Sequence, residues 1–111
     1  MLYVEFMAGE KEYKLRLNTR NVITLEKALN GNPLSIFGKG DRIPTITEMA
    51  AVLHASLQTY HHGIKMDETY DILDAFFEDG KTATDFILVI VEIYKTSGIM
   101  PRDKEIDEKN A

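Results

Sequence analysis

Apolar side chains alternate with other residues from Leu2 to Phe6 and again from Glu12 to Leu17. Leu2, Val4 and Phe6 share one face of the first run. Tyr13, Leu15 and Leu17 share one face of the second, with Lys14 and Arg16 pointing away. Ala8-Gly9-Glu10-Lys11 lies between them and offers a glycine for positive φ, so residues 2–17 read as a β-hairpin with one covered face. A hairpin alone is marginal in water, so that face must pack on helices or on another chain.

The period then changes from two to 3.6. Asn18-Thr19 caps a helix over about 19–30, with Val22, Leu25, Ala28 and Leu29 inward and Gly31 as its stop. Residues 31–44 are irregular, punctuated by Gly31, Pro33, Gly38, Gly40 and Pro44, and anchored by Leu34, Ile36 and Phe37. Thr45-Ile46-Thr47-Glu48 is a capping box opening a helix over about 45–61, with Met49, Val52, Leu53, Leu57 and Tyr60 as its apolar stripe. A third helix is expected over about 66–79, with Met66, Tyr70, Leu73 and Phe77 inward and Gly80 as stop. A fourth follows over about 83–97, capped by Thr82 or Thr84. Its Phe86–Val91 run leaves strand open as an alternative, but the threonine cap, the span and the Gly98 stop favour helix. Apolar nearly all round, this helix is expected at the centre. The fold class is mainly α: an N-terminal hairpin followed by a compact bundle of about four helices. It forms one domain over 1–101, with a polar flexible tail at 102–111.

Composition narrows the function. There is no cysteine, which removes disulfides and thiolate chemistry. Residues 1–6 have neither a basic nor a long apolar region, so no signal peptide is expected. The longest apolar run, Phe86–Val91, is six residues against the ~20 that span a bilayer, so no membrane is expected either. The net charge of −5 disfavours nucleic acid as a partner. That charge is uneven: residues 1–45 hold seven bases and five acids, residues 46–111 six bases and thirteen acids.

Catalytic patterns are missing. Gly38-Lys39-Gly40-Asp41 lacks the spacing of a phosphate loop, and Ser35, Ser56 and Ser97 have no nucleophile motif around them. His54, His61 and His62 show no metal-ligand spacing and read as decoration of a helix C-terminus, where they favour the dipole. No catalytic, cofactor or metal residue is therefore assigned.

The acidic pattern is more informative. Asp67, Asp71, Asp74 and Glu78 are spaced four, three and four, on one narrow face of the third helix. With Glu68 and Asp79 that helix carries six acids and no base, and like-charge pairs at this spacing each destabilise a helix by roughly 0.2–0.5 kcal/mol. This face is either a solvated surface or a docking face for a basic one. A basic surface is expected on Lys11, Lys14, Arg16 and Arg20. Pairing the two surfaces between copies would give a homo-oligomer with head-to-tail contacts.

The order of segments from GEKEYKLRLNTRNVITLEKALNGNPLSIFG through IPTITEMAAVLHASLQTYHHGI and DETYDILDAFFEDG to DFILVIVEIYKTSG resembles the tail assembly chaperones of long-tailed phages and prophages of Gram-positive bacteria, over about residues 2–98. The resemblance implies a non-enzymatic protein of the host cytoplasm, absent from the mature virion. It also implies two partners, the tape measure protein and the tail tube protein, and in many cases a longer frameshifted product. Two other readings stand beside it. One is another phage structural or head–tail adaptor protein; the other is a small metal-binding regulator or enzyme using the three histidines.

Overall fold

A two-residue turn sets the hairpin. Gly9 and Glu10 both have positive φ, +59° and +65°, the type I′ geometry whose twist matches paired strands. Strands β1 (Val4–Ala8) and β2 (Lys11–Leu15) pair antiparallel with Phe6 opposite Tyr13 and Val4 opposite Leu15. Phe6, Ala8, Tyr13 and Leu15 face inward and are buried, as is Leu17 just beyond β2. Leu2, expected on the same face, precedes β1 and is 63% exposed. The computed structural model describes residues 2–102.

Four helices follow: α1 (Thr19–Leu29), α2 (Ile46–Leu57), α3 (Met66–Glu78) and α4 (Ala83–Thr96), with a 3₁₀ turn at Pro33–Phe37. Local signals place their starts. Asn18 accepts from the Asn21 amide, Thr45 and Glu48 form the full capping box, and Thr82 rather than Thr84 caps α4 together with Asp85. The apolar run 86–91 is helix.

The packing differs from the pattern-based expectation at three places. The central helix is α2, not α4: eight of its twelve residues are buried, including Ala50, Ala51, Ala55 and Ser56. Small side chains let α1, α3, α4 and β2 all approach it closely. The bulkier α4 buries Phe86, Ile90, Ile93 and Tyr94 and leaves Leu88 61% exposed. Second, α2 stops at Leu57. The Gln58 amide nitrogen donates to the carbonyls of His54 and Ile64, and its oxygen accepts from the Gly63 amide, so a side chain organises the exit. Tyr60 is thereby released to 42% exposure, and Ala28 of α1, also expected inward, is exposed. Third, α3 is turned by roughly 80° from its expected inward stripe, given about 100° per residue. Thr69, Ile72, Leu73 and Phe76 are its buried side, while Tyr70 is 51% exposed.

Phe6, Phe76 and Phe86 meet with ring centroids 5.0–5.8 Å apart and lock β1 to α3 and α4. The hairpin tip closes against the end of α3. The Gly9 amide donates to Asp79 Oδ2 at 2.8 Å, and a Cβ at Gly9 would stand 3.2 Å from Ala75 Cβ. Both the positive φ and this approach call for glycine. The expected tail at 102–111 lies, apart from Arg102, outside the described residues.

Candidate docking groove

The stripe that was expected inside α3 instead forms a wall. Met66, Tyr70, Leu73 and Phe77 face Ile46, Thr47, Ala50 and Ala51 of α2 across a mostly apolar groove of about 440 Å³, with Ala28 of α1 at one end. Ile46 and Tyr70 are each 51% exposed on its rim. Ile43, three residues before Ile46, is 77% exposed.

The entry to α2 is clamped, and this fixes one wall. Arg42 Nη1 donates to both carboxylate oxygens of Glu48, at 2.9 and 2.8 Å, and to the Ile36 carbonyl at 3.0 Å. Glu48 also accepts the Thr45 amide at 2.8 Å. Burial pushes the Glu48 carboxyl up, but the bonds from Arg42 and Thr45 outweigh it and hold the group below the usual carboxylate range. On α3, Glu68 accepts the Lys65 amide at 3.2 Å and steadies the opposite wall.

The acidic four lie along α3. Asp67, Asp71, Asp74 and Glu78 are all exposed, and none is in an ion pair among the described residues. Asp74 lines the groove itself beside Tyr70. One rim is thus a row of unneutralised carboxylates next to exposed apolar side chains.

The basic residues have more varied surroundings. Lys11 Nζ lies 5.4 Å from the Tyr13 ring centre, and Lys14 Nζ lies 5.0 Å from that of Tyr3 and 5.9 Å from that of Tyr60. Arg16 is half-buried, and its Nε is enclosed without a hydrogen-bond partner. Arg20 is exposed on α1 and borders two surface clefts. Because Gly9 binds Asp79, the hairpin adjoins the C-terminal end of the acidic helix within one chain.

The histidines part ways. His54 and His62 line a surface cleft with Arg20, whereas His61 Nε2 accepts the Lys14 amide of β2 at 2.9 Å. Burial first, then the charges of Lys11 and Lys14, lower the His61 pKa and favour the neutral ring that this bond needs. No cluster of three or more histidines and carboxylates able to hold a metal occurs among the described residues. No helix among them is long and apolar enough to cross a membrane.

Periodicity places Tyr70 inward and gives Ile46 no role beyond the capping box, so neither is found as a surface residue. The available signal was Tyr70 itself, an aromatic flanked on its helix by carboxylates. No curated protein and no solved structure is similar enough to this chain to be matched. A family model described as a family of unknown function, DUF6096, matches residues 4–111, and the chain belongs to that family.

Proposed function

We propose that this protein is a non-catalytic binding protein that holds an amphipathic helix of a client in the α2–α3 groove. The observation that carries the reading is the pairing of exposed Ile46 and Tyr70 with the unneutralised row Asp67, Asp71, Asp74 and Glu78. A helix in such a groove buries one apolar stripe, and its flanking lysines and arginines meet the carboxylates. Tyrosine is enriched among the energetic anchors of interfaces, and a helix laid across Tyr70 would cover it. The segment order that resembles tail assembly chaperones names the client class: the long helical tape measure protein, held in the host cytoplasm until the tail tube forms around it. Tail tube subunits are the second partner implied by that resemblance. A reversible, partly electrostatic grip suits a protein that must later let go.

Co-expression with a tape measure protein, the proposed client, tests this. The expected result is a soluble complex that weakens as salt rises, and that Tyr70→Asp disrupts without unfolding the protein. Failure of the correctly folded protein to hold that client at low salt overturns the reading. A permanent head–tail adaptor would be found in purified particles by mass spectrometry, whereas a chaperone is absent from them.

A further inference from the structure

We propose that a second copy of this chain pairs with the outer edge of β1, antiparallel and two-fold symmetric about Phe6, to make a four-stranded sheet in the order β2–β1–β1–β2. The two edges of the hairpin are treated differently by the fold. With Ala8–Lys11, Phe6–Tyr13 and Val4–Leu15 as the pairs bonded across the hairpin, the backbone groups of the intervening residues point outward. On the β2 side the groups nearest α2 are occupied, while those of Glu12 stay open. The Lys14 amide donates to His61, the Arg16 amide donates to the Ser56 carbonyl at 3.0 Å, and the Arg16 carbonyl accepts from Thr59 Oγ1 at 2.8 Å.

On the β1 side the outward amides and carbonyls of Glu5 and Met7 have no partner among the described residues. The open stretch has definite limits. At one end Asp79 takes the Gly9 amide, and at the other the chain bends away at Tyr3. What remains is Val4–Ala8, whose midpoint is Phe6.

Those limits and one charge select a register. With Phe6 opposite Phe6 of the partner subunit, Glu5 lies opposite Met7 of the partner subunit, and the reverse, giving four backbone bonds. Sliding by two residues in one direction sets Glu5 opposite its own copy, two like charges face to face. Sliding the other way requires the Gly9 amide, which is already committed to Asp79. β1 also lacks the lysine, proline or bulge that commonly protects an edge, and Met7 is 55% and the adjoining Leu2 63% exposed. Its one charge, Glu5, lies opposite Lys14 in its own hairpin and shares a surface cleft with Glu92 of α4. The contact is small, so the dimer is weak and concentration-dependent.

Sedimentation of the full chain should show its mass rising from one chain toward two between about 10 µM and about 1 mM, the range expected for a contact below the usual interface size. Met7→Lys sets a positive charge opposite Glu5 of the partner subunit and should tighten association about tenfold; Met7→Glu should weaken it by a similar factor. A merely greasy patch would be weakened by both. Met7→Pro removes one outward amide and no hairpin bond, and should abolish association while melting still reports a folded chain. Hydrogen exchange at Glu5 and Met7 should slow as concentration rises. A chain that stays monomeric throughout the range overturns the proposal, as does parallel behaviour of the lysine and glutamate variants. Protection of Glu5 and Met7 only when a client is added would also overturn it, assigning the edge to that client.

Discussion

Tyr94 is fully buried at the base of α4, and its hydroxyl donates to the Pro33 carbonyl at 2.9 Å. Burial, then the charge of Glu48, pushes the phenol above its ordinary pKa, so it stays a neutral donor. This bond ties the irregular 31–44 segment to the helices, and the edge-on contact of Phe37 with the Tyr94 ring adds to it. Tyr94→Phe takes one donor from the Pro33 carbonyl, which also starts the 3₁₀ turn, and chemical denaturation should register a loss of about 0.5–1.5 kcal/mol. His61 offers a different test. Its folded pKa lies below the 6.5 of the free ring, so its contribution is complete above that value and is lost as pH falls through it toward the lowered folded value. Melting temperature should therefore drop between pH 7 and 5, and His61→Phe, which keeps a ring against Tyr13 but has no acceptor, should flatten that part of the profile. Glu48 acts lower on the scale. Its depressed pKa adds stability above the ordinary 4.5, lost as pH falls through the folded value. Glu48→Gln should be less stable than the parent at pH 7 and nearly equal to it near pH 2.

Elements fall into two groups by how their information is carried. Starts and turns were legible in the sequence because a cap or a type I′ turn involves residues three or four apart. Asn18, Thr45 with Glu48, Thr82 and Gly9 all act where their spacing placed them. Helix faces were less legible, because a period of 3.6 gives the width of an apolar side but not which part of it is covered. On α3 the apolar side runs from Ile72 round to Tyr70, too wide for one neighbour, so α2 and β1 cover part of it and the rest is the groove wall. On α2 the alanines hid its central position, since small residues count little in an apolar pattern yet permit the closest packing. The acidic row of α3 is a cost that the element carries alone. Asp71→Lys would turn its contacts with Asp67 and Asp74 from repulsive to attractive, and should raise stability by about 0.5–1 kcal/mol at low salt. The same change should weaken client binding. A gain in stability with binding unaltered would mean that the row is only a solvated surface.

At the level of the whole molecule, the hairpin tip and the end of the acidic helix meet within one chain. The hairpin bearing Lys11 and Lys14 adjoins the end of α3, and Arg16 is half-buried. Head-to-tail stacking of these basic residues on the acidic row of another copy is a separate proposal, tested by light scattering as salt is varied. The molecule offers two separate surfaces, the α2–α3 groove and the open β1 edge. A client in the groove and a second copy at the edge engage different residues, so either can be lost without the other. The groove is the central claim, and amide NMR of the labelled protein tests it most directly, during titration with a basic amphipathic helical peptide of the kind proposed as its client. Shifts gathered on Ile46, Ala50, Tyr70, Asp74 and Phe77 and fading as salt is added are the result this account requires. Shifts confined to the hairpin, or none at saturating peptide and low salt, would contradict it.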